Sequence, residues 1–254
     1  MKSKIINNNL DNLIKIVKKL RSPDGCDWDK EQTHQSLVPY LLEETYEVIE
    51  SIEQKNFEAL KEELGDLLLH VIFQIDISEE NKEFEINDVI DGICQKLIRR
   101  HPHIFYDKNN PRYKKGDWEL SKQKEKNRNS VLDGVPIALP SLIRASRIQE
   151  KAAAVGFDWE KKEEVLLKVD EEIGELKDAI TNNKGIEEEI GDVLFTIVNL
   201  SRHLNYDSES SLKKSIDKFS NRFKSIETDL KVEGVNMKDL SLDELDEIWD
   251  KNKK

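Results

Sequence analysis

The sequence predicts an all-α protein made of two tandem repeats, each resembling a four-helix bundle. Glycine (10 residues) and proline (6 residues) are scarce in a chain of 254 residues, which favours long helices over a turn-rich β protein. Apolar residues recur at steps of three and four, the spacing of one helix face. Several short motifs also occur twice in the same order, which indicates an internal duplication.

The first repeat contains four stretches with this helical period, at residues 10–20, 37–52, 60–71 and 86–97. The second and third stretches are expected to form an antiparallel hairpin through a turn at 54–57. The equivalent turn in the second repeat is expected at 181–185, which is rich in helix breakers. A helix is expected to open after Pro140, with Ser141 as its N-cap, and to run through Ala154.

Five pairs of motifs define the duplication. They are GCDWDK (25–30) with GFDWEK (156–161), EETYEV (43–48) with EEIGEL (171–176), EELGDLL (62–68) with EEIGDVL (188–194), KLIRR (96–100) with KFSNR (218–222), and the Trp-acidic pairs at 118–119 and 249–250. The repeat length is near the usual size of a domain. We therefore predict a first helical domain at 1–126, a linker at 127–140 and a second helical domain at 141–254.

The net charge of −12 argues against a general nucleic-acid binder but not against nucleotides, because a metal ion can neutralise both acidic groups and phosphates. Cys26 and Cys94 lack metal-site spacing, so we expect ordinary thiols in a reducing compartment. The start of the chain lacks a signal-peptide pattern, and no apolar stretch approaches the roughly 20 residues of a membrane helix. We expect a soluble, cytoplasmic protein without membrane or direct nucleic-acid binding.

Paired carboxylates are the main candidates for chemistry. Residues three apart on a helix share a face, so the pairs on the two helices of a hairpin can converge. The pairs are Glu172 with Glu175 and Glu189 with Asp192, and in the first repeat Glu44 with Glu47 and Glu63 with Asp66. Four carboxylates at short range need a cation, and an all-oxygen cage suits Mg²⁺, with Mn²⁺ as an alternative. Apolar neighbours such as Leu64, Leu68, Ile190 and Leu194 favour carboxylates that face inward.

Two other interpretations of the acidic residues stay open. Glutamates are common surface residues, and only the recurrence of these pairs in register favours a site. A di-iron bundle would need Glu-x-x-His motifs. The one such spacing, Glu31 to His34, is unrepeated and lies outside the carboxylate hairpin, while His70 and His203 lack a glutamate three residues earlier.

Basic and aromatic residues accompany the second set of carboxylates. Lys218 and Arg222 lie four apart on one face and could hold phosphate oxygens. Lys168 lies one turn before the carboxylates, where the first repeat has Tyr40, so the second repeat looks better equipped for triphosphate chemistry. Trp249 could anchor the last helix or stack on a base, and the anchor is the safer interpretation.

These motifs resemble the MazG-like branch of the all-α nucleoside triphosphate pyrophosphohydrolases. The resemblance extends over nearly the whole chain and is carried by EExxE followed by ExxD, by LRSPDGCDWDKEQT (20–33), by RRHPHIF (99–105) and by VGFDW (155–159). It implies Mg²⁺-dependent hydrolysis of a nucleoside triphosphate to the monophosphate and pyrophosphate. It also implies a homodimer, broad tolerance of the base, and a role in cleaning the nucleotide pool or in stress.

The resemblance also implies roles for individual residues, mainly in the second domain. Metal would be held by Glu172, Glu175, Glu189 and Asp192, and the nucleotide would be surrounded by Lys168, Glu171, Glu188, Lys218, Arg222 and Trp249. Apart from the resemblance, our own mechanistic hypothesis is that Glu171 orients or deprotonates the attacking water. The first domain keeps its acidic positions, so its role stays open. The rival functions are a nucleotide or alarmone sensor without turnover, and a regulatory protein whose acidic hairpins are only dimer contacts.

Overall fold

The computed structural model describes residues 9–106 and 129–252, which form helices joined by short turns. No strand occurs within these two ranges, so the prediction of an all-α protein is confirmed. The backbone divides into a first compact unit, Met1–Arg112, and a second, Tyr113–Lys254. The finer domain boundaries and the linker at 127–140 stay a prediction, and Trp118 and Glu119 lie outside the described ranges.

The first unit consists of four long helices and two short ones. They are α1 (Leu10–Arg21), α2 (Asp27–Glu31), α3 (Val38–Glu53), α4 (Phe57–Glu80), α5 (Ile86–Arg100) and α6 (Pro102–Phe105). Helices α3 and α4 form the predicted hairpin through residues 54–56. The side chain of Asn56 caps α4 by accepting a hydrogen bond from the Ala59 N–H at 3.2 Å.

The core of the first unit lies where α1 and the segment before α3 meet the second half of α4. Its buried residues are Val17, Leu37, Ile72, Phe73 and Ile77. Leu37 precedes α3 as its N-cap residue, so the predicted stretch 37–52 begins one residue before the helix itself. This core lies at the end of the hairpin opposite the 54–56 turn.

The second unit repeats the arrangement and adds a helix at its end. Its elements are α7 (Ser141–Ala154), α8 (Lys162–Asn182), α9 (Ile186–His203), α10 (Ser208–Glu233), a 3-10 turn (Met237–Asp239) and α11 (Leu242–Lys251). Helices α8 and α9 form the hairpin, α7 packs on α9 and α10, and α11 packs on α10. Buried apolar residues include Val165, Val169, Val198, Ile226 and Leu230.

Two predicted boundaries in the second unit were wrong. Pro140, not Ser141, is the N-cap residue of α7, because the Pro140 carbonyl already accepts the first helical bond, from the Arg144 N–H at 2.9 Å. The hairpin turn is residues 183–185 rather than 181–185. Thr181 and Asn182 continue α8, and their side chains donate to main-chain carbonyls four residues earlier.

An apolar stripe on each hairpin remains exposed. In α4 it consists of Leu64, Leu68 and Val71, which are 42% to 49% exposed, and in α9 it consists of Ile190, Leu194 and Ile197, at 40% to 52%. The expectation that these neighbours point inward with the carboxylates was therefore wrong for the stripe residues. Residues at i, i+4 and i+7 share one line on a helix, and this line is left uncovered in both units. Among the described helices, none combines the length and hydrophobicity that a bilayer-spanning segment requires.

Candidate active site

Acidic side chains from α8 and α9 converge in the second unit. Glu172, Glu189 and Asp192 each offer a carboxylate oxygen, and these three oxygens lie within 4.8 Å of one another. Octahedral Mg²⁺ holds oxygens at about 2.1 Å, so two of its ligands are at most about 4.2 Å apart. Small side-chain movements would therefore bring all three oxygens into a common coordination shell.

The same arrangement occurs in the first unit, on α3 and α4. Oxygens of Glu44, Glu47 and Glu63 also lie within 4.8 Å of one another. Both groups contain carboxylates and no histidine or cysteine, within the ranges that the structure describes. An all-oxygen donor set fits Mg²⁺ or Mn²⁺ and does not fit zinc or a di-iron centre with histidine ligands.

The fourth carboxylate that the sequence predicted for each cluster lies nearby but outside the compact trio. Desolvation raises the pKa of Glu189, and among the neighbouring charges Glu175 adds most to that rise. Desolvation, followed by Asp66, raises the pKa of Glu44 in the same way. Desolvation, followed by Glu47, likewise raises the pKa of Glu63. These carboxylates repel one another, and a cation between them would remove the repulsion.

Glu172 is the most enclosed member of the second cluster. Its side chain is only 8% exposed, and a buried carboxylate is costly unless it is paired. Its partner is the Lys168 ammonium, which lies 2.9 Å from Glu172 Oε1 and 2.7 Å from Glu171 Oε1. Those two hydrogen bonds, Glu171 first, raise the pKa of Lys168. Lys168 therefore occupies the place of a counter-ion in this cluster.

Glu189 supplies a further sign that the cluster suits a metal. Its Oε2 atom is shielded from solvent and accepts no hydrogen bond from the described residues. A shielded carboxylate oxygen normally has a donor or a metal as its partner. The donor set, the spacing and this oxygen all fit a divalent cation.

The other residues predicted to surround the nucleotide are placed in two groups. Glu171 and Glu188 are exposed beside the cluster, on α8 and α9. On α10 and α11, the Arg222 guanidinium lies 5.6 Å from the ring centre of Trp249, and that ring packs against Phe219 at 5.1 Å. Trp249 thus packs α11 against α10, and stacking of its ring on a base stays a prediction. Among the described residues, no hydrogen bond or ion pair joins Lys218, Arg222 or Trp249 to the carboxylate cluster.

One feature of the second unit was not predicted from the sequence: an ionic clamp formed by Asp158 with Arg202 and His203. Asp158, just before α8, accepts hydrogen bonds from Arg202 Nη2 at 2.6 Å and from His203 Nε2 at 3.0 Å, at the end of α9. It therefore ties together the open ends of the two helices that carry the acidic cluster. Its signal in the sequence was the repeated Asp-Trp pair, but in the first unit the equivalent Asp27 pairs locally, with Lys30 at 2.6 Å.

The fold and the paired acidic hairpins define a class: all-α proteins whose duplicated helical hairpins could bind a metal ion. Comparison with known proteins makes this specific. The MazG nucleotide pyrophosphohydrolase domain matches the chain twice, at residues 32–105 and 160–226.

Two relatives match along almost their entire lengths, and a third matches along half of its length. The chain is 49% identical over 243 residues to the nucleoside triphosphate pyrophosphohydrolase/pyrophosphatase MazG of Thermotoga maritima. These residues cover 95% of this chain and 94% of that protein. The chain is 42% identical over 257 residues to the nucleoside triphosphate pyrophosphohydrolase of Escherichia coli K12, covering 97% and 98%. The uncharacterized protein YabN of Bacillus subtilis is 40% identical over 245 residues, which cover 94% of this chain and 50% of YabN.

The chain belongs to the MazG family. The resemblance on which the sequence analysis relied is confirmed, and so is the prediction of an enzyme of the nucleoside triphosphate pyrophosphohydrolase class. The family is one of metal-dependent pyrophosphohydrolases, and the two acidic clusters are the described groups that could hold the metal.

Proposed function

We propose that this protein hydrolyses nucleoside triphosphates to nucleoside monophosphates and pyrophosphate with Mg²⁺, and that the second unit is its main catalyst. The names of the relatives in T. maritima and E. coli support the reaction. The observation that carries the assignment to a site is the trio Glu172, Glu189 and Asp192, with the Lys168 ammonium beside it. In the first unit Tyr40 stands in place of this lysine and supplies no charge.

The residues of the second unit divide the work of the reaction. Glu172, Glu175, Glu189 and Asp192 would hold the cation, which supplies Lewis-acid polarisation of phosphoryl oxygens and activates water. Glu171, exposed one residue before Glu172, orients that water and takes its proton as the oxygen attacks phosphorus. The phosphoanhydride bond to the pyrophosphate group then breaks. Lys168, Lys218 and Arg222 offset the charge on the leaving pyrophosphate.

Broad tolerance of the base follows from the kind of residue assigned to the nucleotide. Lys168, Lys218 and Arg222 are cations that recognise phosphate, and Glu188 lies exposed next to the cluster. The ring of Trp249 would offer a stacking face, and stacking discriminates little among bases. Such tolerance suits a role in removing unwanted nucleotides or in stress. A panel of NTPs and dNTPs, including modified bases, assayed by pyrophosphate release tests this point.

The exposed apolar stripes support a homodimer. Contiguous apolar surface on a helical hairpin is typical of an interaction face, and it recurs in both units at corresponding positions. Light scattering at several protein concentrations would measure the oligomeric state. The two cysteines, both free and exposed, fit a reducing, cytoplasmic compartment. We expect no membrane and no direct nucleic-acid partner.

The decisive experiment on function compares three glutamine substitutions in the whole protein. Glu172→Gln removes a charge from the second cluster, and we expect pyrophosphate release to fall by about a hundredfold or more, since changes to merely supporting residues of a metal site already cost roughly 10- to 100-fold. Glu44→Gln makes the matched change in the first unit and should retain most of the activity. Glu187→Gln, exposed and two residues before Glu189 on α9, is the control for charge.

Circular dichroism verifies that each variant is folded. Normal pyrophosphate release by Glu172→Gln would reject the site, whereas a large loss in Glu44→Gln alone would move catalysis to the first unit. Nucleotide binding without any pyrophosphate release by the parent protein, in excess Mg²⁺, would favour the sensor function instead.

A further inference from the structure

Lys168 is paired with a residue that the proposed function assigns to the metal. Its ammonium lies 2.9 Å from Glu172 Oε1 and 2.7 Å from Glu171 Oε1. The inference that follows rests on the proposed function, because it concerns what this lysine does when a divalent cation reaches Glu172.

The ammonium and a divalent cation compete for the same carboxylate. Glu172 is buried on α8, so its negative charge is poorly reached by solvent and needs a cation close by. A second cation bound at Glu172 would lie within a few ångströms of the ammonium and would repel it. The favourable arrangement has one of the two cations on Glu172 at a time.

Release of Lys168 is structurally easy. Its side chain is 29% exposed and carries the ammonium at the end of a flexible four-carbon stem. The ammonium can therefore move away without a change in the helix. The lysine also precedes its glutamates on the helix, which is the weaker order for an i, i+4 ion pair. A partner that is partly exposed and carried on a flexible stem is suited to exchange.

We propose that Lys168 is an exchangeable internal counter-ion: it neutralises Glu172 in the metal-free protein, is displaced when the divalent cation binds, and then turns to the triphosphate. Lysine release thereby couples the two binding events. The cation alone binds against competition from Lys168, and a triphosphate offers the displaced ammonium a new anionic partner. Metal and nucleotide consequently favour each other's binding.

The first unit lacks this device and provides an internal contrast. Tyr40 occupies the position of Lys168, and its ring contacts Trp28 edge-on at 5.9 Å. Desolvation raises the pKa of Glu44, and the negative charges of neighbouring carboxylates raise it further. A cation binding to the first cluster has no lysine at this position to displace.

The test measures Mn²⁺ binding without nucleotide, from the EPR signal of free Mn²⁺. All proteins carry Glu44→Gln and Glu63→Gln, so that only the second cluster is intact. Lys168→Met keeps the length of the side chain but removes its charge, and we expect it to bind Mn²⁺ about 3- to 10-fold more tightly, since an ion pair and a like-charge repulsion are both removed. Lys168→Arg restores the charge and should bind like the parent.

Lys177→Met is the matched control for a general loss of positive charge. Lys177 is exposed on the same helix, nine residues or about 13 Å further along, and its variant should bind Mn²⁺ like the parent. An unchanged or weaker Mn²⁺ affinity in Lys168→Met overturns the exchange. If its KM for a nucleoside triphosphate rises at the same time, Lys168 is a phosphate ligand only. The proposed function would survive that result, because it is tested separately by Glu172→Gln.

Discussion

The clamp at Asp158 allows a quantitative prediction about the hairpin that carries the second cluster. Asp158→Asn removes the negative charge of a carboxylate whose Oδ1 accepts hydrogen bonds from Arg202 at 2.6 Å and from His203 at 3.0 Å. The side chains of all three residues are mostly enclosed, at 12% to 20% exposure. Hydrogen bonds to charged groups contribute about 1.5–3 kcal/mol in such settings. Asparagine keeps one acceptor oxygen, so we expect a loss of about 1–2 kcal/mol.

Thermal unfolding followed by circular dichroism measures this loss. For a protein of this size roughly 2–4 °C is lost per kcal/mol, so the melting temperature should fall by about 2–8 °C. A double-mutant cycle of Asp158→Asn with Arg202→Met isolates the pair and should give a coupling of about 1 kcal/mol. Pyrophosphate release should fall much less than in Glu172→Gln, because the clamp holds the helices and does not touch the cluster.

The clamp also predicts a dependence on pH. Although burial acts in the opposite direction, the hydrogen bonds from Arg202 and His203 lower the pKa of Asp158. A carboxylate with a lowered pKa in the folded state stabilises the protein above its unfolded pKa of about 3.9 and loses that contribution as the pH falls through the folded value. The stability difference between the parent and Asp158→Asn should therefore shrink as the pH falls below about 4. Identical melting at neutral pH would refute the clamp.

Two further substitutions test other parts of the structure. In the first unit Arg21 is buried between Asp76, at 3.2 Å, and Glu80, at 2.6 Å, so Arg21→Met strands a buried carboxylate and should cost about 3–5 kcal/mol in urea unfolding; a loss below about 1 kcal/mol would show the pair to be dispensable. In the second unit Trp249→Leu removes the ring beneath Arg222, and we expect KM for a nucleoside triphosphate to rise with little change in kcat. Trp249→Phe should have a KM close to that of the parent. An unchanged KM in Trp249→Leu would count against a role for this ring.

The long helices were predictable because their apolar period is local information. Helices α1, α3 and α5 match the expected stretches closely, whereas α4 extends well beyond the expected 60–71 to span Phe57–Glu80. The hairpin followed from a short turn between two amphipathic helices. The convergence of Glu172 with Glu189 and Asp192 was also predictable, because side chains three residues apart share a face and the same pattern recurs in the first unit.

Other features depend on information that is not local. Asp158 and Arg202 are distant in the sequence, and nothing in the Asp-Trp motif identifies its partner on α9. The pairing of Lys168 with its own helix depends on side-chain rotamers, so the sequence indicated a phosphate ligand but not a counter-ion. Whether Leu64 or Ile190 is covered depends on how helices pack, and the apolar period alone does not distinguish a buried face from an interaction face.

The proposed function depends on a divalent cation that carboxylates from α8 and α9 hold jointly. The most direct test is the anomalous scattering of Mn²⁺ in crystals of the protein. We expect a peak bonded to oxygens of Glu172, Glu189 and Asp192, at the Mn²⁺–oxygen distance. A Mn²⁺-active enzyme whose anomalous map shows no peak between these three side chains would contradict it.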